Sequence, residues 1–246
     1  MDTRPGARGG SDPSPVRLGL LGGFRLSIES EVFPLPTNCQ RLVCFLALQA
    51  RPLLRSYVSG SLWSEANEQR AGSSLRSALT RLRHPRYSLV EVTSDHIELS
   101  PLVTVDLREG EALARRVLDP SQELDDPAEL DDEVLSADLL PDWTEDWVLV
   151  EREAYHQLRL RALEALCRRL TAARSFGQAV QAGMAAVAGE PLRESAWRAL
   201  IEAHIAAGNV AAALREFDAF RALLYDELGR EPSSEIRALV EGLKLN

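Results

Sequence analysis

The sequence predicts two regions of different fold class, a small α+β domain over residues 16–103 and an all-α domain over residues 104–246. Stretches in which apolar and polar residues alternate, the pattern of half-buried strands, fall almost entirely in the first region. In the second region, helical periodicity runs through nearly every stretch, and part of it repeats at a spacing of 34 residues. Residues 1–15 are rich in glycine, proline and charged residues and lack an apolar segment, so we expect a disordered tail there.

The first region begins with a predicted β-meander. Gly22-Gly23 marks one of its bends, and its short strands are expected at residues 16–21, 24–28 and 31–35. Two helices follow at residues 38–49 and 55–63, and Thr37 is the expected N-cap of the first.

A third helix is predicted over residues 68–84, and it is strongly amphipathic. Because an α-helix has about 3.6 residues per turn, one stripe collects the apolar residues Ala71, Leu75, Ala78, Leu79 and Leu82. The opposite stripe and its flanks collect hydroxyls and arginines: Arg70, Ser73, Arg76, Ser77, Thr80, Arg81, Arg83 and Arg86. These groups suit phosphates and base edges in a major groove. A solvated, arginine-rich surface helix has the same pattern.

Strands, two helices, a basic third helix and a terminal hairpin follow one another in the order of a winged helix-turn-helix. The hairpin is predicted at residues 87–92 and 96–99, with its turn at Ser94-Asp95. In this fold the third helix enters the major groove of DNA, and the hairpin, called the wing, contacts the adjacent minor groove or backbone.

Charge is divided unevenly along the chain. The formal net charge is −9, yet residues 37–87 hold eight arginines and only two glutamates. Residues 88–246 hold 31 acidic and 16 basic residues. Because a phosphate backbone responds to local potential rather than to net charge, the basic segment favours a nucleic-acid interface.

The second region predicts seven helices, at residues 107–118, 126–138, 147–172, 176–188, 194–206, 210–224 and 234–243. Its repeat pairs apolar residues: Leu166 with Leu200, Ala173 with Ala207, Phe176 with Val210, Ala179 with Ala213, and Val180 with Leu214. A period of about 34 residues with alanine at close-packing positions is typical of tetratricopeptide helix pairs, which present surfaces to proteins or peptides.

Two features of the second region have alternative interpretations. Residues 119–146 contain twelve acidic residues and no lysine or arginine, which indicates either a solvated face or a surface that repels DNA or meets a basic partner. Trp143 and Trp147 are either packing anchors at the start of a long helix or a ligand platform.

Motifs for catalysis and cofactor binding are missing from the sequence. It has no Gly-rich phosphate loop, no nucleophile elbow and no Cys or His residues at metal-ligand spacing, so we expect no enzyme, no metal and no cofactor. Cys39, Cys44 and Cys167 lie in apolar or helical contexts and are expected to be reduced core residues of a cytoplasmic protein. No apolar run approaches the roughly 18 residues of a membrane helix.

Several stretches together resemble a known family, the Streptomyces antibiotic regulatory proteins. They occur in the family's order over about residues 18–243 and include LGLLGGFRL, SLRSALTRLRH, LLPDWTEDWVLVEREAYHQLRLRALEAL, EPLRESAWRALIEAHIAAGN and ALREFDAFRALLYDELGREPS. The resemblance implies an OmpR-like winged helix at residues 16–103 and a bacterial transcriptional activation domain at residues 104–246. It also implies the short form of the family, without appended ATPase or sensor modules.

The resemblance implies a transcriptional activator of an antibiotic or other secondary-metabolite gene cluster. Such a protein binds direct repeats in promoter DNA as a side-by-side dimer and recruits RNA polymerase through its sigma and alpha subunits. Residues 68–84 would read the major groove, and Thr93 and His96 would lie on the wing. A competing hypothesis is a helical-repeat adaptor that acts through protein contacts without specific DNA binding of its own.

Overall fold

The computed structural model describes residues 16–84, 87–122 and 132–243. The predicted tail at residues 1–15 and part of the helix predicted at residues 126–138 lie outside these ranges. The chain forms two compact units: the first contains the described residues up to Asp106 together with Leu140–Glu151, and the second contains Leu107–Leu139 and the described residues from Arg152 onward. The predicted fold class is confirmed, because strands and three helices are followed by a helical repeat.

The strands in the described part of the first unit are short and form two sheets. They are β1 (Val16–Gly19), β2 (Arg25–Ile28), β3 (Glu31–Val32), β4 (Leu53–Leu54), β5 (Val90–Val92), β6 (His96–Leu99) and β7 (Val103–Val105). The first sheet has the order β3-β2-β1-β7, and the second has the order β4-β6-β5. The meander and the hairpin were predicted, whereas β4 and β7 were not. These two strands are defined by pairing with β6 and β1, which lie far away in the sequence, and such pairing leaves no local pattern.

The central strand β1 organises the first sheet. It is antiparallel to β2 and parallel to β7, so that Leu18 lies opposite both Leu26 and Val105, and all three side chains are buried. The Asp106 carboxylate then accepts hydrogen bonds from the backbone N–H groups of Leu20, at 2.8 and 3.0 Å, and of Leu21, at 3.1 Å. This carboxylate satisfies two backbone donors at the end of β1.

Three helices complete the winged helix-turn-helix order: α1 (Thr37–Gln49), α2 (Arg55–Leu62) and α3 (Glu68–Leu82). The prediction of Thr37 as an N-cap is wrong, because Thr37 is the first helical residue and Pro36 occupies the cap position. Proline is suited to this position because its ring fixes φ, here at −59°. Its carbonyl accepts hydrogen bonds from the N–H groups of Cys39 and Gln40.

The segment Leu140–Glu151 returns to the first unit and contributes to its core. The Leu140 N–H donates to the Leu20 carbonyl at 2.8 Å, and Glu145 pairs with Arg41 at 3.1 Å. The Trp147 ring packs edge-on against Phe45, with 5.2 Å between ring centroids. Trp143 similarly contacts Phe24 and Trp147. The packing interpretation of the two tryptophans is therefore confirmed.

The second unit is built of helices in its described part: α4 (Asp106–Leu118), α5 (Asp132–Ser136), α6 (Asp146–Ala172), α7 (Phe176–Gly189), α8 (Glu194–Ala206), α9 (Val210–Leu228) and α10 (Ser234–Glu241). The first residue of α4 and the first six residues of α6 are counted with the first unit. None of the helices in the described ranges combines the length and the apolar character that crossing a bilayer requires.

The predicted repeat corresponds to real helix boundaries. The helices α7 and α9 begin at the paired residues Phe176 and Val210, and the paired alanines Ala179 and Ala213 are fully buried. Gly183 allows close helix packing, since a Cβ there would lie 3.1 Å from Leu200 and 3.2 Å from the Cys167 sulfur. Small residues thus let α6, α7 and α8 approach one another.

The three cysteines are core residues, as predicted. Cys39, Cys44 and Cys167 are free thiols with no exposed surface. Burial raises the pKa of the Cys167 thiol to about 11 and also raises the pKa values of Cys39 and Cys44. All three therefore stay protonated and unreactive near neutral pH.

Trp147→Ala tests the role of the returning segment. It should lower the free energy of unfolding by about 2–4 kcal/mol, because it removes a large aromatic side chain from Phe45 and leaves a cavity. Urea unfolding followed by circular dichroism measures the loss. Leu149→Ala, two residues away with its side chain 44% exposed, is the matched control and should change stability by less than about 0.5 kcal/mol. Equal losses for both variants would contradict the core role of Trp147.

Candidate nucleic-acid interface

The helix α3 begins at a side-chain cap. The Asn67 side-chain oxygen accepts a hydrogen bond from the Arg70 N–H at 2.9 Å, and Glu68 in the first turn carries the negative charge that the helix dipole favours there. The helix ends at Leu82, two residues before its predicted end. Pro85 explains the difference, since the residue before a proline avoids helical geometry.

The apolar stripe of α3 is buried, as its periodicity predicts. Ala71, Leu75 and Ala78 are each 2% exposed, and Leu82 is 6% exposed. The α1 helix lies beneath this stripe, where the Cys39 thiol is 3.8 Å from the Ala78 carbonyl oxygen. Leu79 differs from the prediction because it is only partly buried. Burial of one stripe fixes which residues α3 presents to solvent.

The predicted contact residues of α3 lie on its exposed face. Six side chains are exposed there: Arg70, Ser73, Arg76, Ser77, Thr80 and Arg81. The Thr80 hydroxyl donates to the Arg76 carbonyl at 2.9 Å. Among the described residues, the guanidinium groups of Arg70, Arg76 and Arg81 have no ion pair with a carboxylate. Their charge is therefore not neutralised by the described part of the chain.

Arg83 and Arg86 do not lie on the helix. Arg83 caps its C-terminus in an extended conformation, with φ −69° and ψ 123°, and its side chain is exposed. Its side chain therefore projects from a residue beyond the last turn of α3 and not from the predicted stripe of the helix. Arg86 lies outside the described residues, so its predicted role stays a prediction.

The wing places Thr93 and His96 at its exposed tip. The Thr93 hydroxyl accepts the His96 N–H at 3.0 Å and lies 3.3 Å from the His96 carbonyl, so it closes the turn. The adjoining strands are acidic, because Glu91 lies opposite Glu98 in the hairpin register. Two carboxylates at this position disfavour a phosphate, and any DNA contact by the wing is restricted to its tip.

A groove of about 780 Å³ separates α3 from the wing. Its lining contains no carboxylate and includes Arg76, Thr80 and Arg83 on one side and Ser88, Val90 and Val92 on the other. Arg55 also lines this groove, and its backbone N–H donates to the Asp95 carbonyl of the wing turn at 2.9 Å. Sequence reasoning missed Arg55. The only signal for it is its membership of the basic segment, since its position depends on β4 pairing with β6.

Two residues that line this groove, His84 and Tyr87, belong to an aromatic cluster. The rings of His84 and Tyr87 stack with 4.1 Å between centroids, and Phe33 packs edge-on against both. Burial raises the pKa of the Tyr87 phenol, so it remains a neutral hydrogen-bond donor at physiological pH. The stack holds His84, just beyond the end of α3, against Tyr87, which precedes the first strand of the wing.

Comparison with protein families decides the identity of the second unit. The family model described as "Bacterial transcriptional activator domain" matches residues 105–244, more than half of the chain. The chain belongs to the bacterial transcriptional activator domain family. This membership supports a transcriptional activator of the kind that the sequence resemblance implies, and it fits a regulator rather than an enzyme.

A solved structure shares the fold of this chain. It is Mycobacterium tuberculosis EmbR in complex with a low-affinity phosphopeptide, which matches with a TM-score of 0.71 and 21% sequence identity. The match covers 94% of this chain and 65% of the EmbR chain, so this chain spans slightly less than two thirds of that protein. At this identity the likeness shows the fold alone. No curated protein sequence matches the chain.

Asn67→Ala tests the cap that starts α3. Loss of the side-chain acceptor should lower the free energy of unfolding by about 1 kcal/mol, because one N–H of the first turn loses its partner. Urea unfolding measures the change, and Asn67→Asp, which keeps an acceptor oxygen, should retain wild-type stability. If alanine and aspartate behave alike, the cap does not stabilise the helix.

Proposed function

We propose that the protein is a sequence-specific DNA-binding transcriptional activator. The observation that carries this proposal is the exposed face of α3, whose arginines have no described acidic partner and which borders a groove lined without carboxylates. In a protein with a net charge of −9, an exposed face of arginines without acidic partners favours an anionic ligand. Duplex DNA fits, because guanidinium groups bind phosphates and guanine edges and α3 has the position of a recognition helix.

The roles of the individual residues follow from their positions. Arg76, Ser77 and Thr80 lie centrally on the exposed stripe and are proposed to face bases, with Arg83 reaching the groove from beyond the helix end. Arg70 and Arg81 flank the stripe and are proposed to bind phosphates, as is Arg86. We add Arg55 as a phosphate contact between α3 and the wing. Ser73, Thr93 and His96 complete the proposed interface.

The finer parts of the proposal rest on resemblance to the antibiotic regulatory proteins. On this resemblance, the protein is a short-form member that acts in the cytoplasm on nucleoid DNA. Its target is an antibiotic gene cluster, where two protomers bind direct promoter repeats side by side. Residues 16–103 would bind DNA, and residues 104–246 would contact the sigma and alpha subunits of RNA polymerase.

The alternative proposal is an adaptor that acts only through protein contacts. The acidic pair Glu91 and Glu98 on the wing favours it, because these carboxylates oppose contact between that surface and a phosphate backbone. The two proposals differ in their response to salt. A groove binder releases counterions from DNA, whereas an adaptor shows no salt-dependent affinity for DNA above background.

The affinity of the full chain for a mixed-sequence duplex, measured by fluorescence anisotropy against salt concentration, tests DNA binding. We expect a linear fall of log K with log salt, and we expect Arg81→Ala to reduce its slope by about 0.9 through the loss of one phosphate contact. Arg237→Ala, an exposed site in the second unit, is the control and should leave the slope unchanged. A wild-type slope near zero would favour the adaptor.

Arg76→Ala and Arg83→Ala test base contact. Each is expected to weaken binding to a selected target duplex by about 1–3 kcal/mol and to relax sequence preference, because a bidentate contact to guanine is lost. Competition between the target and a scrambled duplex measures both effects. If both variants bind and discriminate as tightly as the wild type, the proposed orientation of α3 is wrong.

A further inference from the structure

The first turns of α3 border a second groove, and the proposed DNA contacts that line it are Arg55 and Arg76. This groove, of about 420 Å³, lies between α2 and α3, and its lining from α3 includes Gln69, Gly72 and Arg76. Gln69 precedes Gly72 by three residues and Arg76 by seven, so all three lie on one stripe of the helix. The groove therefore extends the exposed face of α3 towards its N-terminus, the part of a recognition helix that contacts base edges.

The position of the Arg76 guanidinium connects it with Gln69. A Cβ added to Gly72 would lie 3.6 Å from the Arg76 Nη1 atom, so the guanidinium lies over Gly72, one turn before its own Cα. Side chains of α-helices characteristically lean in this direction. The Cα atoms of Gln69 and Gly72 are separated by a rise of about 4.5 Å along the helix. Base pairs rise by about 3.4 Å, so a Gln69 side chain extended towards DNA can reach the base pair next to the one that Arg76 contacts.

Gln69 has the chemistry to read a base at this place. Its side chain is exposed, and no hydrogen bond to its amide is present in the described part of the chain. A glutamine amide donates to N7 and accepts from the N6 amino group of adenine, as a guanidinium pairs with O6 and N7 of guanine. Glu68 also lines the groove, and its carboxylate disfavours a phosphate at this end.

We infer that Gln69 reads an adenine in the base pair next to a guanine read by Arg76. Gly72 leaves space for both the Gln69 amide and the Arg76 guanidinium. This inference rests on the proposed DNA-binding function and adds to it a specificity residue and the identity of a two-base-pair step. The absence of a side chain at Gly72 serves the contact, since any group longer than a methyl would displace the Arg76 guanidinium.

Selection from a randomised duplex library with the full chain tests the inference. The wild type should enrich adjacent adenine and guanine positions, and replacing that adenine should weaken binding roughly 5-fold to 150-fold. For Gln69→Ala the adenine preference should disappear while the guanine preference remains. Gln69→Glu should shift the preference at the same position to cytosine, whose amino group donates to a carboxylate.

Gly72 variants provide a second, independent readout. Gly72→Ala should keep the wild-type preferences, because 3.6 Å is an ordinary contact distance for the added methyl. Gly72→Leu should lose the guanine preference, although leucine favours helix formation more than glycine does. Both variants therefore should fold, and unfolding curves check this.

Three results would overturn the inference, and the third is distinguishable from the first two. If the wild type enriches a sequence and Gln69→Ala enriches the same one, or if the positions lost in Gln69→Ala and Arg76→Ala are not adjacent, the reading by Gln69 is wrong while the proposed function stands. If the wild type enriches no sequence, sequence-specific DNA binding itself fails, and the inference fails with it.

Discussion

The packing of α3 on α1 and α2 determines which side chains of α3 are exposed to solvent. The stripe of Ala71, Leu75, Ala78 and Leu82 is buried, and α3 packs against both α1 and α2. A helix held along one stripe cannot rotate about its own axis. The opposite face must then remain exposed. Burial of these apolar side chains, a non-directional force, thereby fixes the direction in which the arginines project.

The distribution of charge adds a second constraint to this packing. The described carboxylates avoid the groove between α3 and the wing, while acidic residues occupy the wing strands at Glu91 and Glu98. Like charges on the wing limit the area that can approach a phosphate backbone, so the basic face is bounded on that side. An acidic chain can in this way carry a local positive potential, and association with DNA would be directed to one face.

Local patterns predicted much of this structure, and long-range pairing accounts for what they missed. The α3 stripe follows from a 3.6-residue period, and the repeat follows from matched residues such as Ala179 and Ala213. By contrast, Arg55 reaches the groove because Leu53 pairs with Ile97, more than forty residues away. The return of Trp147 to Phe45 spans about a hundred residues. Neither contact leaves a periodic signal in the sequence.

In the proposed function, the exposed face of α3 touches duplex DNA. Photo-crosslinking tests it most directly: a benzophenone amino acid replaces Ser77 on that face or Met184 on α7, both exposed. With promoter duplex, crosslinks should form from position 77, fall when salt is raised, and be absent from position 184. Crosslinks from position 184 but not from position 77 would contradict the account.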